Sequence, residues 1–185
     1  MIKKLSYIES NTTNPYFNLA LEEELFNQCD EDEIILYLWK NRNTVVIGKN
    51  QNAWRECNVT KMEKDEVTLV RRMSGGGAVF HDTGNLNFTF ICHKKNYDVR
   101  RQLRVIIEAL ETFGIEAEIS GRNDMLAEGR KFSGNAFYQR GERCYHHGTL
   151  MVDVDTDKLE RYLSVSKKKM ESKGIKSVRS RVINL

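Results

Sequence analysis

Three stretches of this chain carry residue types whose spacing suits chemistry. The first is Arg71–Phe88, RRMSGGGAVFHDTGNLNF. Gly75, Gly76 and Gly77 let backbone amides approach a ligand with no Cβ in the way. Successive amides in such a turn form an anion-binding nest. Arg71 and Arg72 place guanidinium forks suited to phosphate or carboxylate directly before it. Neighbouring strand residues point to opposite faces, so only one of the two arginines is expected to reach a common site. The stretch is not a Walker loop, which needs Gly-Lys-Ser/Thr, and not a dinucleotide fingerprint, which opens a helix. Glycines alone also make an ordinary hairpin loop; the arginines before them and His81-Asp82 after them turn the balance toward a ligand loop.

The second stretch is Gly121–Ala136, GRNDMLAEGRKFSGNA. Most lysines are surface solubilisers. Lys131, however, emerges from a glycine-flanked strand beside Ser133, Gly134 and Ala136, which suits a fixed positive charge over a pocket. Asp124 is a candidate magnesium ligand, although a lone Asp in a turn more often caps it. The third stretch is His146-His147-Gly-Thr-Leu. Adjacent strand positions face opposite ways, so the two histidines do not share a metal ion; one of them pointing inward as a hydrogen-bonding group fits better. Thr149 shares the face of His147.

The elements that must position these residues follow from periodicity. Tyr16–Gln28 reads as a helix with Leu21 and Leu25 one turn apart and Pro15 near its first turn. Ile34–Trp39 and Thr44–Ile47 are β-rich and read as a hairpin joined across Lys40–Asn43. Val59–Lys64 suits a short helix and Val67–Arg71 a strand. Asn85–Ile91 alternates Leu86, Phe88 and Phe90 with Asn85, Asn87 and Thr89, a strand with one buried face. Arg101–Phe113 carries Leu103, Ile106, Ile107, Leu110 and Phe113 at helical spacing and ends at Gly114. Strands follow at Ile115–Ile119, Lys131–Tyr138 and Cys144–Val152, then a helix at Asp157–Leu163 capped by Asp155 or Thr156. Strands cluster without regular helix alternation, so the expected class is α+β with a mixed, mostly antiparallel sheet.

Composition bounds the rest. The 185 residues suit one domain, and only one proline and no Gly/Ser linker divide them. A net charge of +3, from 29 basic and 26 acidic residues, is too balanced for a dedicated nucleic-acid surface. The basic stretch from Lys167 to Arg181 is a solvated tail or an anion-handling segment. Cys29, Cys57, Cys92 and Cys144 lie far apart with no C-x-x-C, which suggests reduced thiols in the cytosol rather than disulfides or zinc. No apolar run approaches the roughly 20 residues of a membrane helix.

Taken together, RRMSGGGAVFHDTGNLNF, GRNDMLAEGRKFSGNAFY, HHGTL and KKKMESKGIKSVRSRVINL closely resemble the lipoate–protein ligase family. PYFNLALEEELF and LYLWKNRNTVVIGKNQNAWRECN extend the likeness, in order, over nearly the whole chain. The resemblance implies the biotin/lipoate ligase catalytic fold, akin to class II aminoacyl-tRNA synthetases. It implies activation of lipoate by ATP, with magnesium, to lipoyl-AMP. The lipoyl group then passes to a lysine ε-amine on lipoyl domains of 2-oxoacid dehydrogenase E2 subunits or the glycine-cleavage H protein.

Lys131 matches the catalytic lysine of the family's K-x-S-G motif. Arg72, Gly77, Ala78, Val79, Phe80 and Thr149 match nucleotide-contacting positions. Trp39, Gly75, Gly76 and His81 match positions around the lipoate pocket, and Lys173–Arg181 resembles a segment that closes over the adenylate. Family catalytic domains continue beyond the point matching Leu185, and many add an accessory domain. Residues 1–185 are therefore expected to form one incomplete catalytic domain without that accessory part. Two alternatives are an octanoyl- or lipoyl-transferase working without ATP through a cysteine, with Cys92 or Cys144 as candidates, and a non-catalytic lipoate or adenylate binder.

Overall fold

The computed structural model describes residues 2–121, 123–164 and 181–185. The first half of the chain supplies β1 (Lys4–Glu9), α1 (Pro15–Gln28), β2 (Glu33–Trp39), β3 (Thr44–Ile47), α2 (Ala53–Glu56), α3 (Val59–Lys64), β4 (Thr68–Arg71), β5 (Val79–His81) and β6 (Asn85–His93). The second half supplies α4 (Val99–Glu111), β7 (Glu118–Ser120), β8 (Asp124–Ala127), β9 (Arg130–Arg140), β10 (Arg143–Met151) and α5 (Thr156–Tyr162). Seven strands form one sheet in the order β1-β2-β6-β10-β9-β8-β7, and three form a second in the order β4-β3-β5. Among the named strands of the described residues, β1–β2 and β3–β4 pair in parallel and the other pairs are antiparallel. The class is α+β with a mixed, mostly antiparallel sheet, as expected.

Side-chain parity gives the large sheet two covered faces. Leu36 of β2 and Phe88 and Phe90 of β6 join Leu103, Ile106 and Leu110 of α4 in one core. Ile35, Ile91 and Tyr145, on the opposite face, pack with Phe26 of α1. Burying one such side chain stabilises by about 1.5–3 kcal/mol. A one-residue slip would exchange both faces at once, so the register of the central strands is strongly held. A third core joins the small sheet, through Val45, Ile47 and Phe80, to Met62 of α3 and Leu159 and Tyr162 of α5.

Capping follows the sequence closely. Asn14 Oδ1 accepts the amides of Tyr16 and Phe17 at the start of α1, with Pro15 in the first turn. Asp98 caps α4, and Asp155 caps α5 through the amides of Asp157 and Lys158. No helix among the described residues is long and apolar enough to cross a membrane.

Three expectations need correction. β2 and β3 do not form a hairpin: β2 pairs with β1 and β6, while β3 pairs with β4 and β5. The amide of Arg42 donates to Thr13 O and the Asn18 amide group donates to Lys40 O, so the connection is drawn toward α1 and passes from one sheet to the other. β6 is buried on both faces rather than one, because α1 covers its polar side and supplies partners for it. Phe113 is exposed: it lies beyond the end of α4, where Gly114 takes a φ of 74°. Strands β1 and β8 and helix α2 were not anticipated. Leu5 and Tyr7 of β1 face solvent, so the strand carries no buried alternation.

Candidate active site

Lys131 owes its position to an irregularity in β9. Met125 of β8 pairs with Ser133 and Leu126 with Lys131, so the ladder skips Phe132. Without that extra residue, positions 131 and 134 would point to opposite faces. With it, the Lys131 side chain runs over Gly134, where an added Cβ would lie 2.8 Å from Nζ. The small residue beside the lysine is therefore a spatial requirement. Thr149 continues the arrangement, its hydroxyl accepting the Gly134 amide at 3.1 Å.

Asp124 sits opposite. Its Oδ1 is 2.6 Å from Lys131 Nζ and its Oδ2 is 2.5 Å from Arg181 Nη2. Burial works to raise the carboxyl pKa, but the hydrogen bond and charge of Lys131, with those of Arg181, overcome it and hold the group below its ordinary value. The sequence expectation of a magnesium ligand does not fit this donor set, since both oxygens already face cations. Among the described residues no cluster of three or more His, Cys, Asp or Glu is arranged to hold a metal. The C-terminal residues are tied to the same strand: Val182 bridges to Lys131, and the Ile183 amide donates to Lys131 O at 3.0 Å. Lys176 and Arg179, expected to cover an adenylate, lie outside the described residues.

The glycine loop is strapped over the end of β3. The Arg72 amide donates to Ile47 O and the Lys49 amide to Ser74 O. A Cβ on Gly48 would lie 2.3 Å from Gly76 O, so loop and strand meet backbone to backbone. Gly76 has a φ of 97°, a conformation that β-carbons oppose. Arg72 is buried and uses its fork on the loop itself: Nη2 donates to Gly75 O at 2.9 Å and Gly77 O at 2.8 Å, and Nε donates to Ser74 Oγ at 3.0 Å. Arg71 turns away and donates to the carbonyls of Gly48, Lys49 and Gln51, so one arginine reaches the site, as parity required.

His81 and Trp39 form the deeper wall. Their rings meet edge-on at 6.1 Å. Asn18 Nδ2 donates to Asn41 Oδ1 at 3.0 Å, which leaves Asn41 Nδ2 to face His81 Nδ1 at 3.3 Å. The ring proton then belongs on Nε2, which has no partner among the described residues. Burial, with the charge of Arg72 beside it, lowers the His81 pKa to about 3, so the ring is neutral.

Two cavities meet at Lys131. One, of about 200 Å³, is lined by Trp39, Arg72, Gly76, His81 and His147 among others. The second, of about 380 Å³, is lined by Arg55, Phe80, Met151, Leu159, Leu163 and Arg181 among others. Gly77, Ala78, Val79, Lys131, Gly134 and Thr149 line both. Every predicted site residue therefore borders one of these spaces except Gly75, whose carbonyl accepts from Arg72. Asp124 lines the first. No cysteine borders either cavity. All four are buried, and burial pushes the thiols of Cys29 and Cys57 up to about 11 and that of Cys92 up to about 12.

The model of the lipoyl protein ligase A/B catalytic domain matches residues 14–185. The chain belongs to this family. Lipoate-protein ligase A of Psychrobacter cryohalolentis is 52% identical over 182 residues, covering 98% of this chain and 54% of that protein. Lipoate-protein ligase A of Bdellovibrio bacteriovorus is 48% identical over 188 residues, covering 100% of this chain and 56% of that protein. The chain thus spans about half the length of the curated relatives it matches.

Solved structures of the lipoate ligases agree with the fold. Plasmodium falciparum LipL1 in complex with lipoate superposes with a TM-score of 0.81 at 35% identity, over 90% of this chain and 54% of that one. The bi-partite lipoate protein ligase of Thermoplasma acidophilum, studied with its E2 lipoyl domain, gives 0.83 at 30% identity, over 100% of this chain and 75% of that one. A lipoate-protein ligase A bound with ATP gives 0.82 at 28% identity, over 100% of this chain and 76% of that one.

Sequence reasoning missed Glu22, Ser74, Thr89, Asn18 and Asn41, all buried polar residues beneath the site. For Asn18 and Glu22 a signal existed: with Pro15 and Phe26 they form the buried stripe of α1 at helical spacing.

Proposed function

We propose that this chain activates lipoate with ATP and passes the lipoyl group to a lysine ε-amine of a carrier domain. The observation that carries the proposal is the place of Lys131, where two cavities of different character meet. In the first, a lipoate tail lies against Trp39 and His81 with its carboxylate toward the ammonium. In the second, a nucleotide lies against Phe80, Met151 and Leu163 with its phosphates toward Arg181 and the same ammonium. The names of relatives and the ligands of similar solved structures support both assignments.

In the first half-reaction a carboxylate oxygen attacks the α-phosphorus, a P–O bond forms, and the bond to the pyrophosphate oxygen breaks. Lys131 serves as a fixed positive charge for the phosphoryl oxygens and is not consumed. In the second, the carrier's neutral ε-amine attacks the acyl carbon, AMP departs with the electron pair of the broken C–O bond, and the amine proton is lost to solvent or base. The His81 Nε2–H is a donor for a polar atom entering the first cavity. Magnesium belongs to this scheme as an ion carried by the nucleotide phosphates; no residue is assigned to hold it. Lipoyl domains of 2-oxoacid dehydrogenase E2 subunits and the glycine-cleavage H protein are the carriers we propose, with the reaction in the cytosol.

The test is pyrophosphate release from ATP with lipoate, with and without an apo lipoyl domain. Release that needs lipoate, followed by lipoylation when the carrier is added, is the expected result. Carrier modification without ATP would replace the ligase with a thioester-forming transferase. Binding without either reaction would leave a non-catalytic binder.

A further inference from the structure

Glu22 does not line the cavity, yet two hydrogen-bond chains that end on different lining side chains, Trp39 and Arg72, both run back to its Oε1. On one side Trp39 Nε1 donates to Thr89 Oγ1 at 3.1 Å, and the Thr89 hydroxyl donates to Glu22 Oε1 at 2.7 Å. On the other, Arg72 Nε donates to Ser74 Oγ at 3.0 Å and Ser74 Oγ lies 2.8 Å from His147 Nε2. His147 Nδ1 then lies 2.8 Å from the same Glu22 oxygen. Arginine and indole can only donate, so Trp39 and Arg72 are the donor ends of the two chains, and Glu22 Oε1 is the acceptor at which the first one ends. His147 Nδ1 faces the carboxylate as a donor, while the Ser74 hydroxyl has both His147 Nε2 and, at 3.5 Å, Gly75 O within reach. Glu22, Thr89 and Ser74 are each at most 1% exposed, so water does not compete for these bonds.

We infer that Glu22 is the positioning residue for both walls of the cavity, setting the Trp39 indole through Thr89 and the Arg72 guanidinium, with the glycine loop it grips, through His147 and Ser74. A helix residue thereby couples the apolar end of the site to the anion end. A carboxylate serves better than an amide because a charged oxygen accepts both hydrogen bonds more strongly than a neutral carbonyl oxygen does. Side chains touching ligand are precise only where their supports are fixed, and a shift of about 1 Å in them costs on the order of a hundredfold in rate.

The inference rests on the ligase assignment for its activity readout, so the test has an arm that does not. The chain has two tryptophans, Trp39 and Trp54, so the Trp39 indole N–H signal is readily assigned by nitrogen-15 NMR. Thr89→Val should move that signal and weaken lipoate binding, with the Arg72 Nε–H signal unchanged. Ser74→Ala should move the Arg72 signal and weaken ATP binding, with the indole unchanged. Glu22→Gln should move both and lower kcat/KM by about tenfold to a hundredfold. Three variants that differ only in melting temperature, with both signals in place, would overturn the inference and leave Glu22 as packing for α1. Identical signal changes in Thr89→Val and Ser74→Ala would also overturn it. Should Glu22→Gln not fold, the two single-arm variants decide. Should the unaltered chain bind neither lipoate nor ATP, the ligase assignment fails while the two signals still report on the chains.

Discussion

Asp124 Oδ1 lies 2.6 Å from Lys131 Nζ, and Arg181 occupies the other carboxylate oxygen. Before any anionic substrate enters, the ammonium already has a counter-ion that fixes it over Gly134. An incoming carboxylate or phosphate must take over that role. Asp124→Asn removes the charge while keeping the shape, so Lys131 should be less firmly aimed and bind anions less selectively. We expect pyrophosphate release to fall by about tenfold or more, with the loss mainly in kcat. An unchanged kcat would show that the pair is incidental to the reaction.

Lys131→Ala tests the ammonium itself. In the proposed mechanism its charge serves the transition state rather than the core, so the circular dichroism spectrum should be retained. Both half-reactions should fall by on the order of a hundredfold or more. Lys131→Arg should not restore them, since a planar fork over Gly134 places its charge differently from a point ammonium. Adenylate formation at a near-normal rate in Lys131→Ala would remove the lysine from the mechanism.

The glycine loop gives a steric prediction. At Gly76 the φ of 97° disfavours any side chain, and a Cβ would lie 2.9 Å from Arg72 Nη2. Gly76→Val should therefore displace the Arg72 fork and abolish lipoate or adenylate binding in calorimetry. Gly75 and Gly77 have open space where a Cβ would go, so Gly75→Ala should be the milder change. Equal effects at the two positions would argue against a loop whose tolerance is set by local contacts.

The central strands, the α5 cap and the glycine loop were legible because each has a short-range cause. Asp155 caps where a polar side chain precedes an apolar stripe, and the tripeptide Gly75–Gly77 announces a loop by composition alone. The parity rule limited the site to one of Arg71 and Arg72 and separated His146 from His147 without coordinates, and the family resemblance pointed to Arg72. What stayed hidden depends on distant partners. The β9 irregularity at Phe132 arises from pairing with β8, which the sequence did not mark as a strand. Glu22 shares the helical stripe of Pro15, Asn18 and Phe26, but its acidic type hid that signal, because its partners Thr89 and His147 arrive from distant β6 and β10. The failed hairpin has the same origin, since Arg42 and Asn18 bond across sequence to redirect a connection that looks local.

Acid should destabilise the protein through two buried imidazoles. Burial lowers the pKa of both His81 and His146 to about 3, from an ordinary value of 6.5. Between those values the unfolded chain binds protons that the folded chain refuses, so this stability is present above pH 6.5 and is lost as pH falls toward 3. Each ring contributes a slope of at most about 1.4 kcal/mol per pH unit in that window. His146 lies away from the cavity, between Gln102 of α4 and Asn135 of β9. Urea unfolding of His146→Gln from pH 7 to pH 4 should show about half of that histidine-linked slope. An unchanged slope would mean that His146 titrates alike in both states.

The cysteines separate a ligase from a thioester-forming transferase. A transferase would need a thiolate within reach of the acyl carbon, and thiolates become scarce as the thiol pKa rises. Here no thiol borders either cavity, and burial pushes Cys92, one of the two candidates, up to about 12. Cys144, the other candidate, pairs with Cys92 across β6 and β10 and is also raised by burial. These thiols act as small hydrophobes within the sheet, and replacing each should cost roughly 1 kcal/mol of stability. A chain with all four changed to alanine should therefore melt earlier but keep ATP-dependent, lipoate-dependent pyrophosphate release at temperatures where it is folded. Carrier modification measured in parallel should fall no further than adenylate formation does. Loss of transfer in a folded four-alanine chain, with the unaltered chain working in the absence of ATP, would replace adenylation with a thioester route and place Cys92 or Cys144 at its centre.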